Sequence, residues 1–166
     1  MGYFTPYKVY SRRAETHIAL DDPDSAIVDN NAASIILKEA RHLDPEDQYV
    51  RRLYIINQGG IMTLSATQGR RDEVMAIAPD IVDLRRRDLI NNPGDIGYIR
   101  LLANTLQLSG EAFFDVDEVE KGCIYILESV QRIKDYSAKK AFNELQTKNI
   151  VEPALEQAKR CNQNKK

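Results

Sequence analysis

Apolar residues at alternating intervals of three and four constrain this chain more than any other feature. Ile96, Ile99, Ala103, Leu106, Gly110 and Phe113 fall on one face of a helix. Val116, Val119, Cys123, Ile126, Val130 and Ile133 repeat the same intervals after a break at 115–117. Two facing stripes joined by a short connection predict an antiparallel helix hairpin.

Earlier segments repeat the arrangement. Tyr49, Leu53, Ile56, Gly60 and Leu64 line a helix that ends near Gly69. Asp72 is placed to cap the next one, with Val74, Ile77, Ile81 and Leu84 as its buried face. Upstream, Asp24 is placed to cap a helix holding Val28, Ala32, Ile35, Ala40 and Leu43 inside, after a first helix from about Tyr3 to Leu20. Beyond Tyr136, Ser137 is placed to cap a last helix with Ala141, Phe142 and Leu145 on one face. Pro153 then breaks or kinks it before a short piece to about Cys161.

The punctuation is periodic. Pro45 and Pro93 are 48 residues apart, as are Asp47 and Asp95, and Asp24 and Asp72. Asp-Glu-Val occurs at 72–74 and again at 117–119, 45 apart. The unit is therefore a pair of helices of about 45 to 49 residues, with a small length change in one first helix. Internal repeats of this size predict stacked hairpins, here about 3–43, 46–91 and 94–136, in one domain over 1–166 closed by capping helices at 137–161.

The third unit resembles the tetratricopeptide repeat. Ser109-Gly110-Glu111-Ala112-Phe113 looks like the Leu-Gly-x-x-Tyr of that family's first helix. Asp117-Glu118-Val119 matches its acidic turn, and Gly122, Ile126 and Ser129 fall on its small, aromatic and second small positions. In the second unit Leu64-Ser65, Val74, Ile77, Ile81 and Leu84 take the same places, and in the first His17 replaces the glycine. The resemblance covers about residues 5–136, with a period longer than the family's usual 34. It implies an all-α, right-handed superhelix whose first helices line a concave groove for peptides or protein partners.

One polar stripe fits such a groove. Arg100, Asn104, Gln107 and Glu111, ending at Phe114, run along an otherwise apolar helix. Asn and Gln pair with peptide backbone because each supplies donors and an acceptor, and Phe114 offers an apolar anchor. Arg51, Asn57 and Gln58 extend the surface from the preceding unit. Gly59-Gly60 reads first as a close approach of a neighbouring helix, and second as a place where a ligand meets bare backbone. The arginine clusters at 12–13, 51–52, 70–71 and 85–87 read mainly as solvated faces with local ion pairs.

Composition removes other classes. With 23 basic against 25 acidic residues and a net charge of −2, the chain lacks the basic balance of a nucleic-acid binder. No apolar run reaches the length of a membrane span. His17 and His42 share no metal-ligand spacing, and no nucleophile or phosphate-loop motif is present, so neither enzyme, metal nor cofactor is expected. The acidic run from Asp115 starts like a calcium loop, but Val119 and Glu120 stand where a ligand and the essential glycine belong. Cys123 and Cys161 read as reduced thiols of a cytoplasmic protein, and the long period, through its resemblance to extended tetratricopeptide regions of bacterial regulators, implies a bacterial one. The leading expectation is a non-catalytic scaffold or regulatory module. The alternatives are a small-molecule sensor with a cavity near Gly59 and Gly60, and a self-associating domain that forms homodimers.

Overall fold

The computed structural model describes residues 4–163, with side chains from Pro6 onward; the expected helix start at Tyr3 lies outside them. The described residues are mainly helical, with no strand. Six long helices follow one another: α1 (Phe4–Ala19), α2 (Pro23–Leu43), α3 (Gln48–Thr67), α4 (Arg71–Asn91), α5 (Ile96–Asp115) and α6 (Val119–Ser137). A short helix α7 (Glu144–Gln146), a π turn (Thr147–Val151) and α8 (Glu152–Gln163) follow. Each long helix packs on its sequence neighbour, α3 also packs on α5, and α8 lies against α6.

The period is 48 residues and regular. Helices α2, α4 and α6 begin at Pro23, Arg71 and Val119, and α3 and α5 at Gln48 and Ile96, each 48 from its equivalent. The turn inside each hairpin repeats the same backbone. Asp21, Gly69 and Asp117, again 48 apart, have φ of 58°, 67° and 62°. A left-handed residue after a helix closes it with a six-to-one bond. That bond is present three times: Asp22 N–H donates to His17 C=O at 2.9 Å, Arg70 to Ser65 at 2.8 Å, and Glu118 to Phe113 at 2.8 Å. The two Asp-Glu-Val segments are therefore not equivalent: Val74 corresponds to Gly122, and no length change in a first helix is needed, since α3 and α5 both span 20 residues. In the same register Gly110 corresponds to Met62 and Ala14, all buried, rather than to Ser65 and His17.

Caps fall close to expectation but not always on it. Asp47 accepts from Tyr49 and Val50 N–H at 2.8 and 3.1 Å, and Asp95 from Gly97 N–H at 2.8 Å. Asp22, not Asp24, caps α2, because Pro23 already sits in its first turn. Asp24 instead accepts from Arg70 at 2.8 Å. No side chain caps α4, and Ser137 belongs to the end of α6; Asn143 caps α7 through a capping box with Gln146. Pro153 stands in the first turn of α8, directly after the π turn.

The expected apolar faces hold for α4 and α5 and in large part for α6. On α6, Ile126 and Ile133 are buried, while Val119 is exposed. The faces of α2 and α3 are displaced. Val28, Ile35, Leu43, Tyr49 and Ile56 are exposed, while Ala26, Ile27, Ala33, Leu37, Val50, Tyr54, Ile55, Ile61 and Met62 are buried. The cause is a buried polar seam between the two helices. Asn57 Nδ2 donates to Asn30 Oδ1 and to its carbonyl, both at 3.2 Å, and Gln58 Nε2 donates to Ser34 Oγ at 2.8 Å. A face carrying four amides and hydroxyls does not register as apolar, yet its donors find partners across the seam, while Asn57 Oδ1 is buried without one.

The cysteines form a disulfide between α6 and α8, with Cα atoms 5.4 Å apart. This corrects the reading as reduced thiols: α8 folds back along α6 and brings together two residues that are remote in sequence. It also removes that argument for a reducing compartment. No helix among the described residues is long and apolar enough to cross a membrane.

Candidate functional site

Of the eight residues expected to line a groove, Gln58 is held in the seam between α2 and α3, and the other seven divide. Arg51, Asn57, Gln107 and Phe114 are buried within the packing. Arg51 donates to Asp88, Asn57 to Asn30, and Gln107 Nε2 to Glu111 Oε1 at 2.8 Å. Phe114 packs on Ile126, Ala158 and Cys161 beneath the Arg160 guanidinium, whose centre is 4.9 Å from the ring. The expectation that these four face solvent fails because α8 and the neighbouring helices cover them. Arg100, Asn104 and Glu111 are half-buried. Burial raises the Glu111 carboxyl above its ordinary value; the Gln107 bond opposes this and the Asp115 charge adds to it.

Of these, Asn104 lines an apolar cleft. The cleft, of about 470 Å³, lies between α3 and α5, with Ile18 of α1 and Ile81 of α4 also in its wall. Ile56 and Asn104 are 48 apart, as are Gly60 and Leu108, so the same positions of successive first helices face each other across it. Ile18, Ile56 and Leu108 leave apolar surface exposed at its edge.

Gly59 and Gly60 also line this cleft. The expected close helix approach is absent there. A Cβ built on Gly59 meets nothing within 4 Å, and one on Gly60 meets only Asn30 at 3.9 Å. The close approach lies instead at Gly110 and Gly122, where α5 crosses α6. There a Cβ would stand 3.0 Å from the Gly122 carbonyl, or 2.9 Å from that of Gly110. The bare backbone at 59–60 is thus open to the cleft rather than filled by a helix.

A second cleft, of about 270 Å³, opens where α3 and α5 begin, lined among others by Tyr49, Arg52, Arg85, Asp88 and Tyr98. Tyr98 Oη donates to Gln48 Oε1 at 3.2 Å across its mouth. Arg85 lines both clefts. It is buried, its Nε–H has no hydrogen-bond partner, and its Nη1 reaches Asp88 Oδ2 only at 3.5 Å. Burial lowers its guanidinium from the ordinary value, Asp88 opposes this, and the nearby Arg52 charge adds to it.

Sequence reasoning missed Ile56, Leu108, Arg52 and Arg85. For Arg85 a signal existed: 48 residues to either side stand Leu37 and Ile133, both apolar. The acidic turn at 115–118 is engaged internally, Asp117 in a left-handed turn and Glu118 in ion pairs with Arg71 and Lys121. Comparison with protein-family models, curated proteins and solved structures returns no match.

Proposed function

We propose that this chain is a helical-repeat binding module, tetratricopeptide-like in its stacking, that holds an apolar segment of a protein partner in the cleft between α3 and α5. The stacking reading draws on the 48-residue register, the direct packing of α3 on α5, and the small-residue crossing at Gly110 and Gly122. In a right-handed superhelix of this kind α1, α3 and α5 form the concave side. The carrying observation is that equivalent positions of successive first helices meet across an apolar cleft floored by two glycines without Cβ atoms. Exposed Ile18, Ile56 and Leu108 supply apolar contact, and the Asn104 amide supplies a donor and an acceptor for partner backbone.

The test is affinity capture with wild type beside an Ile56→Glu/Leu108→Glu variant. Both side chains are exposed, so the fold is expected to survive, and circular dichroism checks this. A protein retained by wild type and lost by the folded variant supports the reading; equal retention by both overturns it.

The same cleft favours a second reading, a small-molecule sensor. Its volume of about 470 Å³ lies within the ordinary range of ligand sites. A metabolite that raises the melting temperature of wild type but not of the Ile56→Glu/Leu108→Glu variant would select this reading over the first.

A further inference from the structure

We propose that the cleft at the start of α3 and α5 binds a small organic acid, its carboxylate held between the guanidinium groups of Arg85 and Arg52.

The repeat itself shows that Arg85 is not needed to build the fold. At its position the first hairpin has Leu37 and the third has Ile133, both buried. The same substitution extends to its neighbours. Asp88 stands where the third hairpin has Tyr136, and Arg51 where it has Ile99. The middle hairpin therefore places three ionic groups where its successor is apolar, although apolar packing at such positions is commonly the more stable choice.

Charge at the site does not balance. Asp88 gives its Oδ1 to Arg51 at 2.7 Å, which leaves Arg85 the weaker 3.5 Å contact on Oδ2. Two buried guanidinium groups thus share one buried carboxylate. Arg52 adds a cation at the edge and, among the described residues, makes no hydrogen bond or ion pair. Asp95 at the rim is committed to Gly97 N–H. Among the buried groups two cations therefore face one anion, and a bound carboxylate supplies the second.

The geometry selects the kind of anion. A guanidinium presents a planar fork that matches a carboxylate, and such charge-assisted bonds are about twice as strong as neutral ones. The cleft of about 270 Å³ takes a small molecule. Tyr49, Tyr98 and Leu101 give it a partly apolar wall for the body of the acid. The two clefts share Arg85, but the acid site does not depend on the partner-binding reading.

The experiment is a titration followed by ¹H–¹⁵N spectra at constant ionic strength. The probes are sodium benzoate, neutral benzamide, and an end-blocked peptide with one aspartate. Wild type is compared with Arg52→Gln, which alters an exposed residue, and with Arg85→Lys, which keeps the charge and loses the fork. Saturable shifts with benzoate at 48–52 and 95–98, about tenfold weaker in Arg52→Gln, are expected, in line with loss of one charge-assisted bond. If Arg85→Lys does not fold, Arg52→Gln alone decides. Absence of saturation, equal response to benzamide, equal affinity of wild type and Arg52→Gln, or tighter binding of the peptide would each overturn the assignment.

Discussion

Arg51 on α3 and Asp88 on α4 form a buried ion pair, Nε donating to Oδ1 at 2.7 Å, while Arg51 Nη1 also donates to the Pro45 carbonyl at 3.1 Å. The pair ties the turn before α3 to the end of α4. Removing the shared carboxylate would leave two buried cations without their acid, which typically costs about 3–5 kcal/mol. Asp88→Ala is therefore expected to lose stability on that scale in urea unfolding. Replacing the whole group by its third-hairpin equivalents, Arg51→Ile/Arg85→Ile/Asp88→Tyr, is expected to keep or raise stability. A loss below about 1 kcal/mol in Asp88→Ala would contradict the burial argument.

Glycines in similar helical settings are expected to respond with opposite signs. Gly59→Ala places its Cβ in open space, so it gains roughly 1 kcal/mol of helix propensity. Gly122→Ala pushes a methyl to 2.7 Å from the Phe114 ring and 2.9 Å from the Gly110 carbonyl. Backbone cannot give way as a flexible side chain does, and overpacking of this kind costs about 1–3 kcal/mol. Thermal unfolding of the two single variants checks the contrast; a stabilised Gly122→Ala would mean that α5 and α6 separate easily.

How much was legible in the sequence follows from where polarity sits. On α5, buried positions are largely apolar, so the three-four spacing finds the face directly. On α2 and α3, Asn30, Ser34, Asn57 and Gln58 are buried against one another, and the same spacing then selects Val28, Ile35, Tyr49 and Ile56 on the outside. Ile56 is thus exposed and, with Leu108, edges the cleft. Periodicity cannot tell an apolar residue kept for packing from one left at a binding surface. The 48-residue register was legible in Asp47 and Asp95. The left-handed turns at Asp21 and Asp117 were not, because aspartate, unlike Gly69, does not mark a positive φ. Burial of Phe114 and the pairing of Cys123 with Cys161 depend on the return of α8, which local sequence does not specify.

The disulfide anchors α8 to α6 across a separation of 38 residues. In the chain-entropy account, a closed loop of this size contributes about 3–4 kcal/mol. The joined segment packs mainly through Ile150, Ala154, Ala158 and Cys161. Its loss is expected to appear first as local opening. Cys123→Ser/Cys161→Ser, or wild type under dithiothreitol, should become cleavable by protease within 138–163 while 4–137 stays protected. Unchanged cleavage patterns would show that packing alone holds α8.

Glu111 gives a pH dependence of definite sign. Burial raises its carboxyl from the ordinary 4.5, so the folded state favours the protonated form more than the unfolded chain does. Its favourable contribution is present in full below the unfolded value and is lost as pH rises through the raised folded one. At neutral pH the ionised group is therefore a liability, relieved only in part by the Gln107 Nε2 bond at 2.8 Å. Glu111→Gln retains an acceptor for that bond and removes the charge that Asp115 repels. The variant is expected to melt above wild type at pH 7. Below about pH 4, where both side chains are neutral, the two melting temperatures should converge. Melting curves across that range check both the direction and the window; a variant that melts below wild type at pH 7 would show that the Glu111 charge has a stabilising partner outside Gln107.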